Sequence, residues 1–467
     1  LRRQRQMCIR DRFDDPATNQ GRVRNDDSEW ENLFLRAAFG DFSLIAARTT
    51  SEKGVPTAPW ETVFGDRRTR SWDNTTLVGL DYAKELSETW AVNGRVAYGH
   101  YDYYGDWVYD YAEEGDDPYL VVNKDYWKGR WWESEVQVVA QPAADHKVTA
   151  GTEFRYNARQ DQANWDEEVY LHDSRDSDNW GLYVQDEFRI FERTTLVGGL
   201  RYDRYSTFGG STNPRVAIIQ QLWEDTTLKL IYGRAFRAPN AYELYYHDGG
   251  YTTKAAQDLD PETIETYELV LERALTANLY ATVSGFYYVM EDLIGQHTDP
   301  DDGLLVFRNT DEAKARGAEL TLNGRWDHGV RARASYSYID AENSVTEETL
   351  VNSPVHLAKL NLIVPVVEEA VFAGLEVQYN AKSKTLADDY VDGFVLTNLA
   401  LTYVSPSQRL EIAAGLYNLF DVEYAYPGGP ALDVYMSEGG GDSRPAVIMV
   451  HGGAWARGAK GERPGEA

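Results

Sequence analysis

A short stretch near the middle of the chain brings together residue types that can grip a small ligand. It comprises Arg237, Tyr242, Glu243, Tyr245, Tyr246, His247 and Asp248. Aromatic rings supply apolar contact, whereas guanidinium, imidazole and carboxylate groups can fix the orientation of a ligand through hydrogen bonds. The same side chains could equally pack one surface loop against another, so the sequence leaves both interpretations open.

Three further acidic residues could chelate a cation. Asp299, Asp301 and Asp302 lie close together in the sequence, and hard carboxylate oxygens at such spacing suit Ca²⁺. No complete EF-hand pattern surrounds them. Calcium binding here is therefore a hypothesis that rests on these three residues alone.

The end of the chain carries a different kind of motif. An apolar run from Ala446 to Val450 is followed at once by His451, Gly452 and Gly453. This order resembles the opening of an α/β-hydrolase of the esterase or lipase type, in which an HGG loop donates backbone N–H groups to an oxyanion hole. No G-x-S-x-G nucleophile elbow occurs in the sequence. We expect residues 431–467 to be an inactive hydrolase-like fragment or a join artefact.

The first twelve residues also differ from the rest. They contain five arginines, one aspartate and Cys8, the only cysteine of the chain. Residues 7–12, MCIRDR, look like the translation of an adapter used in sequencing libraries, so we interpret residues 1–12 as non-native. An exposed basic tail is the alternative. Without this segment the chain has no cysteine for disulfides or thiolate metal sites.

Composition excludes several classes of protein. The 467 residues include 46 Lys plus Arg against 75 Asp plus Glu, a formal net charge of −29. Such an acidic chain lacks the basic face of a nucleic-acid-binding protein. No apolar run approaches the ~18 residues of a membrane-spanning helix. The 43% hydrophobic and 13% aromatic content is too high for a disordered chain.

Alternation of polar and apolar residues dominates the chain between residues 31 and 419. In residues 262–273, for example, Leu269 and Leu271 alternate with Glu268 and Glu272. This period of two predicts about eighteen strands, most of them 9–14 residues long. Glutamates and asparagines in the middle of long strands favour a barrel with polar residues inside and apolar residues toward lipid. The predicted fold is all-β, a large antiparallel transmembrane β-barrel.

The connections predict two unlike ends. Tight turns at residues 40–41, 141–145, 191–193, 224–225, 327–328 and 406–407 alternate with long polar loops. The long loops are residues 51–70 and six further loops, which are residues 105–125, 159–178, 237–261, 292–312, 343–353 and 383–392. Short periplasmic turns and long extracellular loops are typical of bacterial outer-membrane barrels. These six loops hold 29 acidic and 7 basic residues, so most of the net charge lies at one end.

Aromatic residues crowd the ends of two neighbouring strands. The group comprises Tyr98, Tyr101, Tyr103, Tyr104, Trp127, Trp131 and Trp132. Tyrosine and tryptophan are enriched at membrane interfaces because the ring prefers the apolar boundary while the O–H or N–H reaches water. We therefore interpret the group as part of an aromatic girdle, with ordinary cross-strand packing as the alternative.

Four motifs resemble a known family. They are YGRAFRAPNAYELYY (232–246), LDPETIETYEL (259–269), ARGAELTL (315–322) and LYNLFDVEYAYPGG (416–429). In this order they resemble the barrel of TonB-dependent outer-membrane receptors, over residues ~28–430. The resemblance implies a 22-stranded barrel with a plugged lumen, of which about 18–19 strands lie in residues 13–430. It also implies uptake of a scarce ligand such as a ferric siderophore or cobalamin.

The resemblance sets the expected partners. They are outer-membrane lipid and lipopolysaccharide of a Gram-negative bacterium, a small-molecule or metal-chelate ligand, and the TonB complex. TonB would act through a plug, although no plug domain or TonB box precedes the barrel in this sequence. We expect a monomer without cofactor, enzymatic activity or nucleic-acid partner. The alternatives are a passive porin-like channel and a barrel fused to an esterase whose catalytic part is missing.

Overall fold

A computed structural model describes residue 23 and residues 25–113, 115–256, 258–385, 389–407, 410–420, 431–436 and 446–451. The strands are β1 (Ser28–Phe39), β2 (Phe42–Gly54), β3 (Arg70–Ser87), β4 (Trp90–Asp110), β5 (Leu120–Ala143), β6 (His146–Trp165), β7 (Val169–Phe191), β8 (Thr194–Tyr205), β9 (Gly209–Trp223), β10 (Thr226–Arg237), β11 (Glu262–Thr276), β12 (Leu279–Thr298), β13 (Leu305–Arg325), β14 (Arg331–Asn343), β15 (His356–Val367), β16 (Val371–Asn380), β17 (Ser383–Lys384), β18 (Tyr390–Val391), β19 (Phe394–Val404), β20 (Glu411–Leu416), β21 (Ala431–Met436) and β22 (Ala446–His451). Helix α1 spans Ala241–Tyr245, and a 3₁₀ turn spans Pro59–Glu61. No helix in the described part of the chain is long and apolar enough to cross a membrane.

Eighteen strands form one antiparallel sheet in which each strand pairs with the next along the chain. The short strands β17 and β18 lie outside this sheet. They pair with each other within the connection between β16 and β19, and β16 pairs directly with β19. Tight turns fix the register: Gly40, with φ at +58°, closes the first hairpin so that Phe39 lies opposite Phe42. Within the described residues no pairing joins β1 to β20. The all-β antiparallel prediction is confirmed.

The two faces of the sheet differ as the alternation predicts. On β8, Leu200 is half exposed on the outer face, whereas Arg201 and Asp203 lie on the inner face. The polar side of each strand lines the lumen and bonds to neighbouring strands. Arg201 Nη2, for instance, lies 2.6 Å from Glu153 Oε2 and 2.7 Å from Asp203 Oδ1. Such paired charges satisfy one another inside the wall, and the apolar side chains form the outer face of the sheet.

Two aromatic belts mark the limits of the outer apolar band. In the upper belt Tyr98, Trp132 and Tyr156 stand opposite one another on three neighbouring strands. The lower belt includes Trp90 and Trp223 at the ends with tight turns. The eight residue steps from Trp90 to Tyr98 cover about 26 Å of strand, close to the ~25 Å apolar band of outer-membrane barrels. The girdle therefore has a physical counterpart in the sheet.

Only part of the predicted aromatic group belongs to that girdle. Tyr98, Tyr104 and Trp132 lie on the outer face. Tyr101, Tyr103, Trp127 and Trp131 lie on the inner face, where the Tyr101 hydroxyl donates to Asp73 and Trp127 stacks on Tyr103. The prediction was wrong for these four residues because period two sends neighbours in the sequence to opposite faces.

The strands at the loop end are longer than predicted. β5 has 24 residues and β7 has 23, so most of the predicted loops 159–178 and 292–312 are paired strand. Only residues 166–168 remain between β6 and β7. Above the apolar band both faces of a hairpin meet water or other loops, and alternation disappears there although the backbone pairing continues.

The ends of the chain lie mostly outside the described residues. Residues 1–22 and 421–430 are among those not described, so the predicted boundaries at 12 and 430 stay predictions. The predicted apolar strand does form, as β22, and it pairs with β21 in a separate two-stranded sheet. Gly452 and Gly453 lie outside the described residues. The oxyanion-like loop and the join interpretation therefore also stay predictions.

Candidate functional site

Helix α1 is fixed to the wall by a capping box and an ion-pair network. The Asn240 side chain accepts a hydrogen bond from the Glu243 amide (3.0 Å), and the Glu243 carboxylate accepts one from the Asn240 amide (2.8 Å). Arg237 then joins Glu243 at 3.0 Å to Glu262, the first residue of β11, at 2.6 Å. Arg237 and Glu243 thus position the helix and do not point freely at a ligand.

We expect Arg237→Met to loosen α1. The two carboxylates would lose their shared guanidinium, at a cost of about 1 kcal/mol because the arginine is partly exposed. Hydrogen exchange at the amides of Leu244 and Tyr246, which bond inside the helix, should accelerate about fivefold. Arg68→Met removes an ion pair confined to a different loop and should leave these amides unchanged. Equal exchange in both variants would contradict the anchoring role.

Tyr242 carries the helix into a group of aromatic rings. Its ring centroid lies 5.7 Å from Trp127, 4.6 Å from Tyr246 and 5.8 Å from Phe307. Beyond them Trp127 stacks on Tyr103 at 4.6 Å, and Trp60 meets Trp107 edge-on at 4.9 Å. We call these seven residues the mouth cluster: Trp60, Tyr103, Trp107, Trp127, Tyr242, Tyr246 and Phe307. It lies at the loop end of the lumen, above the upper belt.

Two polar atoms beneath α1 have no hydrogen-bond partner among the described residues. They are the indole N–H of Trp127 and the side-chain oxygen of Gln162. These residues face each other across β5 and β6, and Gln162 is only 4% exposed. The Gln162 amide nitrogen donates to the Ala241 carbonyl at 2.9 Å, which places its free oxygen below the helix. Buried polar groups normally find partners, so this donor and this acceptor are an unusual feature of the wall beneath α1.

Asp125 supplies a carboxylate next to the same rings. It lies on β5 seven residues above Trp132, outside the apolar band, and accepts hydrogen bonds from Asn164 and from the Trp107 indole. Burial raises the pKa of Asp125 to about 6, although the two donors oppose the shift. At neutral pH the side chain is therefore an anion inside an aromatic setting.

The tryptophan fluorescence of the chain should report this titration. Protonation of Asp125 below pH 6 weakens its bond to the Trp107 indole, so we expect an emission change with a midpoint near pH 6. Because the folded pKa exceeds the ordinary value of 3.8, ionisation of Asp125 opposes folding, and stability should fall as pH rises from about 4 through 6. Asp125→Asn should remove this component. A wild-type profile retained by the variant would contradict the assignment.

The loop that carries Trp60 has an unusual backbone. Ala58, Trp60 and Glu61 have φ values of 49°, 52° and 65°, in the left-handed region that side chains other than glycine avoid. Trp60 is nevertheless 70% exposed, and its contact with Trp107 lies at the edge of the mouth cluster. Backbone strain of this kind concentrates at ligand-binding sites, and here it holds an open indole face toward solvent.

The remaining predicted residues of this loop have structural contacts. Tyr245 lies under the Arg175 guanidinium, 3.7 Å from the ring centroid. His247 accepts a hydrogen bond from the Gly249 amide at 3.2 Å. Burial opposes ionisation of Asp248, but bonds from Thr252 and from backbone amides hold its pKa below the usual value. Of the seven predicted residues, only Tyr242 and Tyr246 belong to the mouth cluster.

The three aspartates of the calcium hypothesis surround a cation of the chain itself. Lys254 Nζ lies 2.6 Å from Asp299 Oδ2 and 2.7 Å from Asp302 Oδ2, and Arg308 also reaches Asp299 at 2.5 Å. Asp301 contributes its amide to Asp299. Among the described residues no group of three or more acidic, histidine or cysteine side chains is arranged to hold a metal ion. Calcium binding stays a prediction, and it would require displacement of the lysine.

A lysine variant tests that prediction. If Asp299 and Asp302 can bind calcium, Lys254→Met should bind it about tenfold more tightly than the wild type because the competing ammonium is gone. Isothermal titration with Ca²⁺ measures both. Lys384→Met, which removes a lysine paired with Glu348 in another loop, should behave as the wild type. Absence of saturable heat in all three proteins would end the calcium hypothesis.

Comparison with known proteins places this architecture. A profile described as TonB dependent receptor-like, beta-barrel, matches residues 11–419. The chain belongs to this family. Similar proteins, described below, include transporters and a receptor. This agrees with the expectation that the chain is not an enzyme.

Two relatives from Vibrio cholerae illustrate the similarity. The chain is 26% identical to the iron-regulated outer membrane virulence protein over 310 residues, 61% of this chain and 47% of that protein. It is 25% identical to the vitamin B12 transporter BtuB over 426 residues, 82% of this chain and 66% of that protein. The chain thus spans about half to two thirds of these relatives.

Solved structures show the same fold. The copper transporter OprC superposes with a TM-score of 0.67 at 19% identity, covering 85% of this chain and 67% of that chain. A mutant of the ferric enterobactin receptor PfeA from Pseudomonas aeruginosa superposes with a TM-score of 0.68 at 17% identity, covering 85% and 64%. The predicted barrel architecture is therefore confirmed.

Proposed function

We propose that this chain forms the wall of an outer-membrane receptor that captures a scarce small molecule or metal chelate for TonB-dependent uptake. The ligand class would be that of ferric siderophores or cobalamin, in line with the iron-regulated and vitamin B12 relatives. The observation that carries the proposal is the mouth cluster, an aromatic and hydrogen-bonding site above a polar lumen wall. The outer apolar band would contact lipid as a monomer, with lipopolysaccharide around the loop end.

Binding can be followed through the tryptophans. The full chain, refolded into lipid vesicles, is titrated with cyanocobalamin and with a ferric trihydroxamate while tryptophan emission is recorded. At least one compound should quench emission saturably, and Trp127→Phe should lose much of the signal. Trp223→Phe, in the lower belt, is the matched control and should keep it. Quenching that never saturates, or that is equal in both variants, would contradict the proposal.

Energy coupling separates the receptor from the porin alternative. Entry of the bound compound into cells that carry the intact gene should cease when TonB is deleted. Entry that continues at the same rate without TonB would support a passive channel.

A further inference from the structure

The basic side chains of the six loops 105–125, 159–178, 237–261, 292–312, 343–353 and 383–392 are all ion-paired. Each forms an ion pair with a carboxylate; the seven are Lys124, Arg159, Arg175, Arg237, Lys254, Arg308 and Lys384. The same loops contain 29 acidic residues, so carboxylates outnumber basic groups by 22. An anion that enters these six loops would meet a surplus of negative charge, although Arg67, in the loop that carries Trp60, is not among the seven paired residues.

Trp60 and Tyr242, which are 70% and 37% exposed, present the open rings of the mouth cluster. Elsewhere at this end basic groups already lie on aromatic faces, as Arg175 does on Tyr245 at 3.7 Å and Lys128 on Tyr126 at 4.7 Å. No basic side chain among the described residues lies over a ring of the mouth cluster. Its tryptophan and tyrosine faces therefore keep their attraction for a positive charge.

The polar atoms at the base of the cluster match a particular chemistry. An ammonium group has only donors, and the free oxygen of Gln162 and the Asp125 carboxylate are both acceptors. The free indole N–H of Trp127 is a donor and would take a carbonyl or hydroxamate oxygen. A chelate that carries hydroxamate oxygens and a free ammonium group satisfies all three atoms.

We propose that the mouth cluster selects its ligand by charge and takes a positively charged metal chelate in preference to an anionic one. The selection rests on the receptor function proposed above. It assigns Asp125 and Gln162 to the recognition of the cationic group, and it assigns the rings of Trp127 and Tyr242 to contact with the chelate.

The test uses one ferric trihydroxamate core in three forms. The terminal amine is left free in the cation, acetylated in the neutral compound and succinylated in the anion, so that only charge and a small substituent differ. Affinities for the full chain in neutral phosphatidylcholine vesicles are measured by tryptophan quenching. The cation should bind about tenfold more tightly than the neutral form, and the anion should be weaker by about another tenfold. High salt should reduce the differences in affinity among the three compounds.

Variants locate the effect. Asp125→Asn should bring the affinity for the cation close to that for the neutral form and leave the neutral form nearly unchanged. Asp145→Asn changes the net charge equally, but in an exposed turn at the opposite end, and should preserve the full preference. Folded fraction, read from the heat-dependent electrophoretic shift of each variant, guards against misfolding.

The outcomes separate the two proposals. Saturable binding of all three forms with equal affinity, or tighter binding of the anion, would overturn charge selection while the receptor function stands. A preference that survives unchanged in Asp125→Asn would overturn the assigned site. Failure of all three forms, and of cyanocobalamin, to bind would overturn both the receptor function and the charge selection that depends on it.

Discussion

Gly317→Ala should prevent most of the protein molecules from reaching the folded state. A Cβ atom at this position of β13 would lie 2.1 Å from the Tyr338 carbonyl oxygen of the neighbouring strand and 2.6 Å from the Phe286 ring. A backbone oxygen held in a ladder cannot move aside as a flexible side chain can. Overpacking typically costs roughly 1–3 kcal/mol, and we expect this substitution to reach or exceed the upper value.

The measurement is the folded fraction after refolding into vesicles, together with the urea midpoint. Gly198→Ala is the matched control, since a Cβ there would meet nothing within 4 Å. It should be neutral or slightly stabilising. If the two variants fold equally well, β13 and β14 do not need the close approach at Gly317.

Tyr242→Ala should cost the proposed site most of its affinity. The ring contacts Trp127, Tyr246 and Phe307, and it remains 37% exposed and thus accessible to a ligand. Central aromatic residues of this kind contribute about 2–3 kcal/mol to binding. The affinity for the amine-bearing ferric trihydroxamate should fall about thirtyfold to 150-fold.

The control for this variant lies in the same loop. Tyr251 is 70% exposed and its ring contacts only Tyr170 among the aromatic residues described. Tyr251→Ala should bind with nearly wild-type affinity. Loss of affinity in both variants would indicate disorder of the whole loop, and retention in both would remove Tyr242 from the site.

Much of the wall could be predicted from the sequence because lipid and lumen impose opposite demands on alternate residues. Leu269 and Leu271 face outward and Glu268 and Glu272 face inward for that reason alone. The alternation ends at the upper belt. Above the upper belt a residue such as Asp173 of β7 belongs to a paired strand, yet nothing in its neighbours distinguishes that strand from a loop.

The site was harder to predict because its contacts join distant parts of the chain. The sequence predicts Tyr242 as a ligand residue from its own loop, but it places the partner Trp127 in the girdle and does not single out Asp125. Strict parity would have separated Trp127 from Trp132, since odd and even positions of one strand face opposite ways. The position of α1 over β5 and β6 depends on contacts between residues that are far apart in the sequence. No local sequence pattern indicates it.

The length of β5 sets the height above the upper belt at which a ligand would be held. Trp127 lies five residues beyond Trp132 of the upper belt, about 17 Å along the strand. Strands of outer-membrane barrels tilt by about 40°, so the height above the belt is about 13 Å, or roughly one and a half Debye lengths at physiological ionic strength, and a surface potential at the belt would fall to about a fifth at the cluster. The electric field that an arriving molecule meets there is thus set mainly by the protein's own carboxylates, whatever the lipid composition beneath.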